Sequence, residues 1–262
     1  MKILITGANG YIAKTLIEDL SEYEIIAKTR QELDISDKEQ VDKFFNENEV
    51  DYVIHTATKG GKRIDVDSEY IYNINMDMFE NLASHSNKYK KMFVFGSGAE
   101  RTLKPIFYGT SKKDISLRAA DFDNIIVLRI YGCFGRYEEP QRFFKNNITK
   151  YISNSVMEIH SNVKMDFFYD GDLSRIIKMY INETPGLLSQ LDLVYSKKYR
   201  LGELADKINQ LDDYKIPMVI GGSNGNDYVS YFKLPQEIEG QLIGLEGGMK
   251  IMHSLLKEQY DN

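Results

Sequence analysis

The sequence predicts an α/β fold, a doubly wound parallel sheet with a small C-terminal lobe, and two observations carry that prediction. Short apolar runs alternate with longer segments of helical periodicity, the pattern of strands buried on both faces and covered by helices. The first run, Lys2 to Thr6, leads directly into Gly7-Ala8-Asn9-Gly10-Tyr11-Ile12-Ala13. Small residues at that spacing mark a tight passage from strand to helix.

In chain order, strands are predicted at Lys2–Thr6, Glu24–Lys28, Tyr52–Ala57, Met92–Phe95 and Ile125–Tyr131. Helices are predicted between and after them at Tyr11–Leu20, Lys38–Glu47, Tyr70–Ser84 and Tyr108–Ala120. Repeated strand, helix, strand units imply parallel neighbours joined by right-handed crossovers, which is a Rossmann-like sheet. A third strand is expected before Tyr52 without a clear run to place it, while Ser36-Asp37-Lys38-Glu39 has the form of a capping box. Beyond Tyr131 the rhythm loosens. Helices are expected at Phe143–Ile152, Asp170–Ile181 and Leu201–Gln210, short strands at Lys164–Phe168 and Leu191–Val194, and a surface loop over Gly221–Gly225. Residues 1–131 are therefore read as the Rossmann-like domain, and 132–262 as a lobe interleaved with late elements of the main sheet.

A chain of 262 residues, 42% hydrophobic, is long enough for one substantial core or for a main domain with a lobe. A formal charge of -6 and a pI near 5.4 argue against nucleic acid as the main partner. The basic runs Lys88–Lys91 and Ser196–Arg200 are expected to be solvated turns. Cys133 is the single cysteine, so neither an internal disulfide nor a thiolate metal cluster is available, and a reducing, cytoplasmic setting is expected. No apolar run reaches the ~20 residues that span a bilayer, and no export leader is recognisable. His55, His85, His160 and His253 have no ligand-like spacing, so no metal site is expected; His55, in a predicted strand, reads as a core residue.

Two motifs carry chemistry. At the first turn, Gly7 and Gly10 let backbone approach a pyrophosphate that the helix N-terminus attracts, and Ala13 lets the helix lie close to the sheet. Gly7, Asn9, Gly10, Tyr11 and Ile12 are thus the dinucleotide candidates, the alternative being a tight turn with no ligand. Where sites for NAD carry an acidic residue on the ribose, this chain has Lys28-Thr29-Arg30. Two cations there suit a 2′-phosphate and hence NADP, with NAD as the alternative if both point to solvent. The second motif is Tyr108-Gly-Thr-Ser-Lys112, a phenol and an ammonium four residues apart on one helix face. The ammonium favours the phenolate and makes the tyrosine a usable acid or base near neutrality.

Together with Thr29–Asp34, Val53–Gly61, Ile71–Asn75, Leu128–Gly132 and Asp166–Leu173, these motifs resemble the extended short-chain dehydrogenase/reductase family, in particular its nucleotide-sugar epimerases, dehydratases and reductases, and within it the GDP-L-fucose synthase group. The resemblance implies that Asp34 and Ile35 border the adenine, that Thr56, Ala57 and Thr58 line the cofactor, and that Asn75 faces its reactive end. It implies proton exchange at Tyr108, a ribose contact and electrostatic support from Lys112, and a substrate-holding hydroxyl from Ser97. Ser97 stands one position before the family's usual serine, where this chain has Gly98, and its alternative is a turn-capping role. Ala99 replaces the group's acid/base cysteine, residues 141–151 contain no histidine, and Gly132 replaces an asparagine. Glu100 is a candidate substrate-facing acid or base, or else a loop carboxylate; Arg136 is a candidate for the nucleotide diphosphate, or else a surface salt bridge. Only ten residues separate Ser97 from Tyr108, so the substrate loop is short.

The resulting expectation is NADP-dependent reduction of a nucleotide-linked keto-sugar for capsule or O-antigen synthesis, with residues 132–262 as the substrate lobe. The alternatives are an NAD-dependent epimerase or dehydratase and a catalytically silent dinucleotide-binding protein. The resemblance further implies a cytoplasmic homodimer with no membrane partner.

Overall fold

The computed structural model of the chain describes residues 1–61, 67–102, 106–222 and 225–261. Its elements run β1 (Lys2–Thr6), α1 (Tyr11–Asp19), β2 (Glu24–Lys28), α2 (Lys38–Glu47), β3 (Tyr52–His55), α3 (Glu69–Ala83), β4 (Lys91–Ser97), α4 (Phe107–Ala119), β5 (Ile125–Ile130), β6 (Cys133–Phe134), α5 (Phe143–Ile152), β7 (Met157–Ile159), β8 (Phe168–Tyr169), α6 (Asp170–Ile181), β9 (Gln190–Leu193), α7 (Leu201–Ile208), β10 (Met218–Ile220), α8 (Gln236–Glu239) and α9 (Gly244–Asp261), with short 3₁₀ turns at Ser86–Lys88 and Gly98–Arg101. Two compact units form: Met1–Ile130 with Ile177–Asp192, and Tyr131–Ile176 with Leu193–Asn262.

The first unit is built on a six-stranded sheet in the order β2-β1-β3-β4-β5-β9. The pairs β1/β2, β1/β3, β3/β4 and β4/β5 are all parallel, with Ile3 opposite Ile25 and Tyr52, and Phe93 opposite Ile54 and Ile126. This is the predicted doubly wound sheet. The extra strand expected before Tyr52 does not form: residues 29–37 make turns, and the chain passes from β2 through α2 to β3. The first turn of α2 is capped by Asp37, which accepts from the Glu39 and Gln40 amides, and not by Ser36, whose hydroxyl donates to Asp34.

β3 and β5 are buried along their whole length, as strands covered on both faces must be. α2 and α3 lay Phe44, Phe45, Met78, Phe79 and Leu82 against Leu4, Val53, Val94 and Val127. Each such side chain contributes roughly 1.5–3 kcal/mol through burial. Lys88–Lys91 is only partly a solvated turn, since Tyr89 is buried and donates to the Leu82 carbonyl at 3.0 Å.

The second unit contains two parallel two-stranded ribbons, β10/β7 and β6/β8. The strand expected at Lys164–Phe168 shrinks to Phe168–Tyr169, preceded by isolated bridges at Lys164 and Met165. Asp172 is fully buried and accepts from the Ile243 and Gly244 amides at 2.7 and 2.9 Å, which holds the start of α9. The basic run Ser196–Arg200 is a correction: Lys198 pairs with the buried Asp166 at 2.7 Å and Arg200 donates to the Asn162 carbonyl at 2.9 Å. Within the loop expected at Gly221–Gly225, Ser223 and Asn224 lie outside the described residues. Among the described residues no helix is long and apolar enough to cross a membrane, and no group of three or more His, Cys, Asp or Glu side chains could hold a metal ion.

Candidate active site

Because the neighbouring strands β2, β1, β3 and β4 are parallel, their carboxyl ends open on one edge of the sheet. The first-unit candidate residues follow those ends: Gly7 after β1, Lys28 closing β2, Thr56 to Thr58 after β3 and Ser97 closing β4. That edge is where open α/β sheets bind ligands.

Gly7 has φ +70°, and a Cβ there would fall 2.8 Å from the Ala57 Cα. Glycine is therefore required both by the backbone and by the approach of the loop after β3. The Gly10 amide donates to the Gly7 carbonyl at 2.8 Å, and Gly10 then caps α1 with no side-chain acceptor on the first turn. Tyr11 and Ile12 open that turn half-buried, Asn9 is exposed, and Ala13 is fully buried beneath. A cradle that excludes a side chain, below helix amides that no side chain caps, fits a pyrophosphate. Thr56 donates to the Thr6 carbonyl at 2.6 Å, locking β3 to β1, while Thr58 is exposed.

Around the end of β2 the cations are less open than the motif implies. Arg30 is exposed, but its Nε donates to Asp34 at 2.9 Å. Asp34 is held below its ordinary pKa despite opposing desolvation, by hydrogen bonds from Ser36 and Arg30. Lys28 is half-buried, its carbonyl accepting from Ala8 at 3.1 Å. Ile35 turns its side chain into the core, so only its backbone, bonded through the carbonyl to Asn81, remains near the edge.

Tyr108 and Lys112 share one face of α4. The Lys112 Nζ lies 5.9 Å from the Tyr108 ring centre and donates to the Phe95 carbonyl at 2.9 Å. Lys112 is buried, and desolvation lowers its pKa to about 8, with the Glu100 charge opposing. His55, bonded to the Thr6 hydroxyl at 3.0 Å, is pushed down to about 3 by burial and then by Lys112, so it is a neutral core residue. The Tyr108 ring is covered by the loop after β3: Gly61 has φ +87°, and a Cβ there would sit 2.9 Å from the ring. Asn75 anchors that loop, accepting from the Lys59 amide at 2.8 Å and donating to the Lys59 carbonyl and to Ser111. Its amide is therefore engaged within the protein.

Ser97 ends β4 and accepts from the Ala99 amide at 3.2 Å, the N-cap of the 3₁₀ turn Gly98–Arg101. Gly109 lets α4 approach this turn, since a Cβ there would meet the Ala99 carbonyl at 2.7 Å. Glu100 is a correction to the substrate-facing reading. Its side chain is 4% exposed, and its carboxylate accepts from the Ser97 amide at 2.7 Å, the Ser116 hydroxyl at 2.9 Å and the Arg129 Nε at 2.8 Å. Arg129 also pairs with Asp192 on β9 at 2.7 Å, which holds Arg101 at 3.1 Å. Sequence reasoning missed Gly61, Gly96, Gly109, Arg129 and Asp192; for three of them the available signal was a glycine in or beside a stretch already singled out, Gly61 closing Val53–Gly61, Gly96 preceding Ser97 and Gly109 following Tyr108.

Arg136 belongs to the second unit, where it is half-buried with its guanidinium 5.9 Å from the Tyr137 ring. Nearby, Glu138 is buried and raised to about 7, chiefly by desolvation, and it accepts from the Lys145 amide at 3.0 Å.

Residues 3–102 match the NAD dependent epimerase/dehydratase family. A GDP-L-colitose synthase of Yersinia pseudotuberculosis is 22% identical over 256 residues, covering 82% of this chain and 83% of its own. Among solved structures, a GDP-D-glycero-L-gluco-heptose synthase of Campylobacter jejuni, determined with NADPH, superposes with a TM-score of 0.80 at 19% identity over 98% of both chains. A GDP-mannoheptose C4 reductase of the same organism, with NADP bound, gives 0.78 at 20% identity over 98% of both chains. At such identities the structural likeness establishes the shared fold.

Proposed function

We propose, from the match of residues 3–102 to the NAD dependent epimerase/dehydratase family, that this chain reduces the carbonyl of a nucleotide-diphosphate keto-sugar with NADP in surface-polysaccharide (capsule or O-antigen) synthesis. The observation that carries the reading is the Tyr108 and Lys112 pair on one face of α4, set beside a turn from which Gly7 excludes any side chain. A GDP-linked sugar is the first substrate to try, because the colitose synthase and both heptose enzymes are named for GDP-sugars.

When bound, the dinucleotide supplies a hydride. Gly7, Gly10 and the α1 amides hold its pyrophosphate, and Lys28 and Arg30 hold the 2′-phosphate, Arg30 by exchanging its bond to Asp34. Tyr108 gives a proton to the oxygen that gains charge as the carbonyl is reduced, Ser97 donates a hydrogen bond to that oxygen, and the Lys112 ammonium stabilises the phenolate left behind. Ala99 in place of a cysteine, and the absence of a histidine from residues 141–151, support reduction over ring epimerisation. Tyr108→Phe is expected to lower kcat by about 10³-fold with little change in dinucleotide affinity; normal turnover would overturn the mechanism.

The pairing of Arg30 with Asp34 favours a second reading, an NAD-recycling epimerase or dehydratase, since the exposed cation is already engaged. The dinucleotide that co-purifies separates the two: tightly held NAD supports recycling, and exchangeable NADP supports reduction. Retained dinucleotide binding without turnover across GDP-, UDP- and dTDP-linked keto-sugars would instead mark a silent binding protein. The same proposal places the protein in the cytoplasm as a homodimer through α3 and α4, which leave Tyr70 and Leu117 exposed; light scattering tests the stoichiometry.

A further inference from the structure

We propose that Glu100 is a positioning residue that fixes the hydroxyl of Ser97 and exchanges no proton with substrate. The inference rests on the reductase reading above and assigns a role that the reading does not contain.

The geometry leaves the carboxylate no access to a sugar. Three donors converge on it: the Ser97 amide, the Ser116 hydroxyl from α4 and the Arg129 guanidinium from β5. Gly96 is glycine for the same reason, because a Cβ there would stand 2.6 Å from the Glu100 Oε1. An acid or base must reach the atom it protonates, and this one is enclosed by partners.

What the carboxylate does reach is the backbone amide of Ser97. Glu100 accepts from the Ser97 amide while Ser97 accepts from the Ala99 amide, so the serine and the 3₁₀ turn close on each other as a capping box. Outside that box a second ring of charge holds Glu100 in place. Arg129 joins Glu100 to Asp192, its Nη2 donates to Gln190 at 3.2 Å, and Gln190 in turn donates to the Ser116 carbonyl at 2.8 Å. Arg101, the last residue of the turn, returns to Asp192. The turn carrying Ser97 is thus tied to α4, β5 and β9 at once. Charge-assisted bonds of this kind are the strong ones, and a reacting hydroxyl displaced by about 1 Å loses on the order of 10²-fold in rate.

The test compares Glu100→Gln, Ser97→Ala and the double variant by steady-state kinetics with a GDP-linked 4-keto-sugar and NADPH. Thermal melting, NADPH titration and hydrogen exchange of the 95–102 peptide are read alongside. Glu100→Gln is expected to lower kcat about 10-fold, to leave NADPH affinity unchanged, to keep both limbs of the pH profile while moving the Lys112 limb to lower pH because the Glu100 charge no longer opposes desolvation, and to speed exchange at the Ser97 and Ala99 amides. Ser97→Ala is expected to lose about 100-fold, and the double variant no more than Ser97→Ala, because two residues acting through one hydroxyl are not additive. Should Glu100→Gln melt too early to assay, Arg129→Lys, which keeps one charged contact to Glu100, takes its place with the same non-additivity expected. Additive losses in the double variant, or loss of one limb of the pH profile in Glu100→Gln, would overturn positioning while leaving the reductase reading intact. A wild-type chain that turns over none of the nucleotide keto-sugars overturns the reductase reading, and this role with it.

Discussion

The two ends of the candidate site are built by opposite means. At the dinucleotide end the work is done by backbone: Gly7 at φ +70° lets the loop after β3 close in, and α1 begins without a side-chain cap. At the proton-transfer end it is done by side chains, with the Ser97 turn suspended from Glu100, Arg129, Asp192 and Arg101, and Lys112 buried beside it. A backbone cradle tolerates variation in the residues around it but no Cβ at its centre. An ionic lattice tolerates any backbone that keeps its charges matched, but not the loss of one member.

That contrast predicts which substitutions touch rate, affinity or stability. The largest effect is expected from Lys112→Met, which should lower kcat by about 10³-fold, well beyond its effect on NADPH affinity, as measured by single-turnover kinetics beside a dinucleotide titration. In the wild type, kcat should fall as pH rises through about 8, where the buried ammonium loses its proton. Stability runs the other way there. Between about 8 and the unfolded value of about 10.4 the unfolded chain binds more protons than the folded one, so this group adds stability as pH rises. A kcat that stays flat from pH 7 to 10 would remove the charged lysine from the mechanism.

Next in size, Arg129→Met leaves the carboxylates of Glu100 and Asp192 buried without their shared partner and should cost about 3 kcal/mol or more in urea unfolding. Unchanged stability would mean that the lattice is not holding the turn. Gly7→Ala attacks the other end. The added Cβ is expected to weaken NADPH binding about 100-fold while melting shifts by only a few degrees, the reverse of the Arg129 result.

The smallest effect lies in the second unit. Glu138 is raised to about 7 by desolvation, with Asp170 adding to it, so the stability associated with its neutral form is fully present below about 4.5 and is lost as pH rises through about 7. Glu138→Gln, which still offers the Lys145 amide an acceptor, should therefore stabilise the chain by about 1–2 kcal/mol at pH 8 and hardly at pH 5. An equal gain at both values would mean that charge is not the cause.

The two motifs were legible because their signals are local. Gly7, Gly10 and Ala13 lie within seven residues, and Tyr108 and Lys112 within one helical turn and a little more. The lattice was not legible, because Glu100 meets Arg129 across 29 positions and Arg129 meets Asp192 across 63. No periodicity records such a partnership, and Glu100 read alone suits a substrate contact as well as a structural tie. The same limit hid α9, whose first turns carry Gly244, Gly247 and Gly248. Gly248 is there because a Cβ would stand 2.5 Å from the Tyr169 ring, a packing reason that a propensity reading counts as a helix breaker. Arg30 shows the same limit at shorter range: Asp34, four residues on, holds at 2.9 Å the arginine that the motif offers to a phosphate.

The position of Asp192 on β9 gives the chain a temporal order as well as a spatial one. During synthesis, Gly7 and its turn can assume their shape once Ala57 has emerged, but the turn bearing Ser97 waits for Ser116 and Arg129 and gains its last anchor only at Asp192, 91 positions beyond Arg101. At about 5–20 residues per second that interval lasts roughly 5–18 seconds. The glycine turn at the first strand would thus take its shape early in synthesis, and the turn bearing Ser97 would be among the last parts of the first unit to be locked in place.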